Sequence, residues 1–145
     1  MTLTTEESKM LDTFRVHLER AAARLEVSLD RTKGIDTKTV DENEIDALES
    51  LISRFARTSD ILLRKVWRLL MKLVEDETGT IIDIVNFAEK MGFVEAAAMN
   101  QIRQTRNRVT HDYVMDEISE VTEAIRKQSP VLLDAIRATL AYRIP

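Results

Sequence analysis

The residues best suited to chemistry lie together at 106–113, which reads Arg-Asn-Arg-Val-Thr-His-Asp-Tyr. The run holds one of the chain's two histidines and one of its two tyrosines, and with Arg103 just before it, it gathers three guanidinium groups. An imidazole exchanges its proton near neutrality, whereas a guanidinium keeps its charge at any accessible pH. Side by side they suit a phosphodiester: one group moves protons and the other holds negative charge. No other stretch offers the same combination.

The elements that must position these groups constrain them. On a regular helix turning ~100° per residue, Arg103, Arg106, Thr110 and Tyr113 share one stripe. His111 stands roughly 140° round from Arg106, while Arg108 lies only about 60° away from His111. Arg106 and His111 of one chain therefore do not converge on an unbroken helix. Either the helix unwinds across 109–112, or a second copy supplies the missing partner across a two-fold axis. The second arrangement is the expectation, with room for some of the first. The alternative without chemistry is a buried network of Arg108, His111 and Asp112 that ties helices together.

Arg106, Asn107, His111 and Tyr113, spaced as Arg-Asn-x-x-x-His-x-Tyr, resemble the signature of HEPN-domain proteins, and among them the HepT-like toxins paired with minimal nucleotidyltransferase (MntA-like) antitoxins. The context before the motif is similar too: Ile-Ile-Asp-Ile-Val at 81–85, then Phe-Ala-Glu-Lys-Met-Gly-Phe at 87–93. The likeness covers residues 51–126 and thins at both ends. It implies a homodimeric, metal-independent endoribonuclease with Arg106, His111 and Asn107 catalytic, RNA as substrate, and Arg103 and Arg108 on the RNA. It also implies that Tyr113 accepts AMP from the cognate nucleotidyltransferase. Without the resemblance, Tyr113 is a residue that contacts RNA or packs at the edge of a bundle.

Composition sets independent bounds. A chain of 145 residues makes one domain able to bury about two thirds of its unfolded surface. Three glycines and two prolines leave little turn material, and 44% hydrophobic with 32% charged residues suits amphipathic helices. The fold class expected is all-α, an antiparallel bundle of five to six helices spanning 1–145. No cysteine is present, which excludes disulfides and thiolate metal sites, and two isolated histidines do not make a zinc site. No metal is expected, nor a nucleotide cofactor, since no Gly-rich phosphate loop occurs.

The N-terminus lacks the basic and apolar regions of a secretory signal, and no apolar run reaches the ~18 residues of a membrane span, so a cytoplasmic protein with no membrane partner is expected. A net charge of -4 and a pI near 5.3 argue against broad nucleic-acid binding. Any contact with RNA must be local.

Along the chain, Thr4 with Glu7 reads as a capping box opening a helix over 5–31, whose Leu11, Phe14, Leu18, Ala21, Leu25 and Leu29 recur at steps of three and four. His17 falls beside that stripe and reads as a surface or boundary residue without chemistry. Residues 32–43 form the loop expected to be most mobile. A second helix over 42–75 carries a three-four repeat from Ile45 to Leu73, broken only by Ser59. Leu63, Trp67, Leu70 and Val74 add a second apolar flank, with Trp67 read as core.

Its remaining face bears Arg54, Arg57, Arg64, Arg68 and Lys72, either a solvated face paired with acids of neighbouring helices or a wall for RNA phosphates or an acidic partner. The acids at 75–77 sit where the helix dipole disfavours them and are expected to splay into solvent. A short helix over 80–91 follows, stopped by Gly92, and then the motif helix over 94–113, whose alanines permit close helix packing. Ser129 and Pro130 signal either a new helix capped by Ser129 or a kink.

Three functions of different class fit: a dimeric toxin ribonuclease, a non-catalytic HEPN subunit that docks to a nucleotidyltransferase, and a helical interaction module. The intact motif favours the first. The acidity of the chain weighs mildly against it.

Overall fold

The computed structural model describes residues 3–109 and 117–145, so His111, Asp112 and Tyr113 lie outside the described residues. Every regular element among these is helical. Helix α1 is Thr5–Thr32; α2, Glu42–Asp60, continues through the π-helical turn Ile61–Trp67 into α3, Arg68–Glu75; then come α4, Ile81–Lys90, α5, Ala96–Arg108, and α6, Ile118–Ala141. No helix among the described residues is long and apolar enough to cross a membrane.

The ends of these helices follow from side chains that satisfy orphan backbone groups. Thr4 accepts from the Glu7 amide, as expected, without a return bond from Glu7 to complete the box. Asp41 with Glu44, and Thr80 with Asp83, form full reciprocal boxes. At Gly79 an added Cβ would lie 2.7 Å from Asp83 Cβ, so the chain enters that second box only without a side chain. Gly92, at φ 80°, ends α4. The start of α5 is capped from outside, by the Glu89 carboxylate of α4 accepting from the Ala96 amide at 2.7 Å.

Helices α1 and α2 form a long antiparallel hairpin: Arg54 reaches back to Ser28 and the Arg24 carbonyl, while farther along Lys65 lies over the Phe14 ring. Helix α6 runs antiparallel to α1, with Arg126 beside Thr32 at one end and Tyr142 beside Arg15 at the other. The core lies between these helices and is filled by Leu18, Leu25, Leu48, Phe55, Leu62, Trp67, Leu70, Ile102 and Ile125, all fully buried.

Four sequence expectations are revised. The second helix is not regular. At Ile61–Trp67 the bonding widens, more residues fit in one turn, and Ile61, Leu62, Leu63, Val66 and Trp67 are all buried where an α-helix would turn some of them to solvent. Ser129 is not an N-cap. Helix α6 continues through Pro130, and the buried Ser129 hydroxyl donates to the Ile125 carbonyl at 2.6 Å, because Ile125, Leu132, Leu133 and Ile136 bury one continuous stripe on either side of the proline. Glu75 does not splay into solvent but pairs with Lys90 of α4 at 2.9 Å. Finally, the connection between α1 and α2 is fastened: the Arg126 guanidinium donates to the carbonyls of Thr32 and Ile35, and Thr37, buried, shares a 2.7 Å hydrogen bond with Ser119.

Trp67 is core, as expected from its leucine neighbours. Its Nε1 donates to Thr139 Oγ1 at 3.0 Å, and Phe93 stacks on it at 6.4 Å between centroids.

Candidate functional site

Helix α5 buries Met99, Ile102 and Thr105, two steps of three on one side, which leaves the guanidiniums of the motif along the rim of that stripe. Thr105 is satisfied by its own helix, donating to the Gln101 carbonyl. Arg106, next along, leans onto α2. Its Nε donates to Asp60 Oδ1 at 2.6 Å and its Nη2 to Asp60 Oδ2 at 2.5 Å, a side-on bidentate pair with Arg106 only 20% exposed. The Asp60 carboxylate raises the Arg106 pKa above its ordinary value, against the opposing effect of partial burial. The pair takes two of five N–H donors, and among the described residues no other group takes the Nη1 end of the fork.

The other motif arginines are placed differently. Arg103 donates to Asn100 Oδ1 within α5, and Arg108 reaches Glu120 of α6 at 3.2 Å. Asn107 is exposed. The structure thus brings Arg106 to α2 and Arg108 to α6, two flanks of α5, and the convergence of Arg106 with His111 falls on residues outside those described.

Asp60 was not among the residues singled out from sequence, although a signal existed. Between Ser53 and Val74 it is the only acid in a segment with six basic residues, and it follows Ser59, the one break in the apolar repeat. It closes α2 immediately before the π-helical turn, a backbone irregularity often found where a side chain must be aimed at a function. Arg64, one turn later, stands 4.0 Å from the same carboxylate.

Around the pair lies a depression of about 500 Å³ lined by Ala56, Arg57, Asp60, Ile61, Arg64, Lys65 and Arg106. Four cations face one carboxylate there. A larger groove of about 970 Å³ between α1 and α2 shares Arg57 with it and adds Arg20, Arg24 and Arg54. His17, exposed as expected, lies on its wall. The basic face of the second helix therefore divides: Arg54 and Arg57 turn toward α1, Arg64 toward Arg106, and Arg68 and Lys72 to solvent. Among the described residues, Arg64 pairs with Asp60 of its own helix, while Arg57, Arg68 and Lys72 are exposed and make no ion pair with a neighbouring helix.

No group of three or more potential metal-ligating side chains occurs among the described residues. Chemically, the described residues offer a guanidinium fixed in direction by a carboxylate with further cations beside it; His111 and Tyr113, which follow in sequence, lie outside them. A scan against protein-family models matches none, and comparison with curated proteins and with solved structures finds no match to this chain.

Proposed function

We propose that this protein is a metal-independent HEPN-type endoribonuclease, the toxin of a toxin–antitoxin pair, acting in the cytoplasm as a homodimer. The observation that supports this most is Arg106. A carboxylate holds it at the mouth of a cationic depression, with Nη1 bound to no other group among the described residues, and His111 follows it five positions later in the sequence.

In the proposed reaction, a base takes the proton of a ribose 2′-hydroxyl while that oxygen attacks the adjacent phosphorus. The bond from phosphorus to the 5′-oxygen breaks, and an acid protonates the leaving oxygen, giving a 2′,3′-cyclic phosphate and a 5′-hydroxyl. His111 of one copy and His111 of a second serve as base and acid. Arg106 stabilises the charge on the phosphorane, a role worth about 10²–10³ in rate for a single well-placed donor. Asn107 orients the imidazole, and Arg103 and Arg108 hold flanking phosphates. Transfer of AMP to Tyr113 by a minimal nucleotidyltransferase antitoxin would silence the enzyme, because the added phosphodiester puts negative charge and bulk where a substrate phosphate belongs.

A non-catalytic docking subunit of a two-protein nucleotidyltransferase is the second reading, favoured by one observation: Asp60 already neutralises much of the Arg106 charge. The deciding experiment compares RNA cleavage and growth arrest by wild type, His111→Ala and Arg106→Ala, each checked for folding and oligomeric state, with EDTA present. Cleavage by wild type alone, insensitive to EDTA, is expected. Activity lost with EDTA and restored by Mg²⁺ would refute the metal-independent mechanism, and an inert wild type unmodified at Tyr113 would leave the docking subunit.

A further inference from the structure

The two depressions described above join at Arg57. Along α1 and α2 the larger one is not uniform in charge. Asp46 and Glu49 stand at the end nearest the connection between the helices, and Arg20, Arg24, Arg54 and Arg57 occupy the rest. Arg54 is anchored, donating to Ser28 Oγ at 2.7 Å and to the Arg24 carbonyl. Arg20, Arg24 and Arg57 are exposed, and none makes an ion pair or hydrogen bond through its side chain among the described residues. In a chain whose net charge is -4, unneutralised arginines on facing helices are a local concentration of positive potential.

From these positions we infer that the groove between α1 and α2 is a second RNA-binding site, which seats the phosphates of a single strand and leads it past Arg57 to Arg106. The inference rests on the ribonuclease reading for the fate of the strand, not for its binding. Arg54 and Asp60 are six residues apart in regular helix, ~9 Å, so a short stretch of one strand spans from the groove cations to the carboxylate that holds Arg106.

The lining chooses between RNA and an acidic protein. Arginines with Ser50 and Ser53 are the side chains that contact phosphate oxygens, whereas a protein partner is anchored by Trp, Tyr, Phe and large aliphatic residues, and the lining of the groove includes none of these. His17 is the one aromatic ring among the lining residues, so the site contacts backbone far more than bases. Direction follows from charge: Asp46 and Glu49 repel the strand at the far end, and the cations draw it toward the motif.

The test measures binding of a fluorescent oligouridylate to full-length protein carrying His111→Ala, which removes cleavage, across 50–200 mM salt. Arg20→Gln, Arg24→Gln and Arg57→Gln are then combined in that background. Losing three phosphate contacts is expected to weaken binding at least tenfold at 100 mM salt and to flatten the slope of log K against log salt by about 2, at about 0.7 per contact on a single strand. Arg24→Gln alone should flatten it by about 0.7, which keeps the test decisive if the triple variant folds poorly.

An unchanged affinity and slope, or no RNA binding by the parent protein, would overturn the inference. So would polyglutamate binding tighter than RNA with the same dependence on the three arginines, which would assign the groove to an acidic partner. The two readings fail separately. Arginine-dependent binding by a wild type that never cleaves sinks the ribonuclease alone, and cleavage with binding indifferent to the three arginines sinks the groove alone.

Discussion

Arg126 and Arg106 are both partly buried guanidiniums reaching across to another part of the chain, and they do different work. Arg126 donates to two carbonyls of the connection after α1 and to Glu123 of its own helix, so backbone acceptors fix it and it holds a loop in place. Among the described residues, Arg106 faces a single carboxylate from one side and turns the end of its fork to other cations. A guanidinium among carbonyls is a fastener, whereas one steered by a carboxylate at a cationic surface is an aimed charge. Burial alone would not have separated them.

Substitutions can break or sharpen that contrast. Arg106→Ala is expected to cut RNA cleavage by about 10²–10³ with only about 1 kcal/mol lost in urea unfolding, since its partly exposed partner is rehydrated. Arg126→Ala should do the reverse, lowering stability by about 2–3 kcal/mol through loss of charge-assisted bonds to backbone while cleavage by the folded fraction stays at the wild-type rate. If both variants lose activity and stability together, the distinction between fastener and aimed charge collapses.

Asp60→Asn tests the steering itself. Arg106 remains but is no longer held by charge, so a fall of about tenfold in kcat is expected, with a stability loss near 1 kcal/mol.

The smallest effect concerns a cap remote from both arginines. The amide and hydroxyl of Thr80 hold the Asp83 carboxyl below its ordinary pKa. With the folded value depressed, this contribution is present above the unfolded value and fades as pH falls through the folded one. Asp83→Asn should therefore lower Tm slightly near neutrality and converge with wild type at the most acidic pH at which the protein stays folded.

Most of the fold was legible because its causes are local. Caps at Thr4 and Thr80, the stop at Gly92 and the apolar repeats from Leu11 to Leu25 and from Leu48 to Leu73 act within a few residues of themselves, and the helices follow them. Of the two readings of Ser129 and Pro130, a new helix or a kink, the new helix fails: a serine before a proline has the local form of a helix start, while the buried stripe on both sides, a tertiary matter, carries α6 through the proline. The site was less legible for the same reason. Arg106 meets an acid 46 positions away, and facing arginines on α1 and α2 become a groove only once the hairpin closes. Periodicity reports which face of a helix is buried, and it is silent about what meets the opposite face.

The π-helical turn can be viewed as a gear between two requirements of one long helix. Its wider winding sets the angular phase of Asp60, just before it, against that of Trp67 at its end. Deleting one residue within Ile61–Trp67 would restore a plain α-helix and rotate one half against the other by roughly 100°. Either the carboxylate would then leave Arg106, or the indole would leave Thr139 and Phe93. A single surplus residue thus lets the same rod serve the interior at one end and the cationic surface at the other.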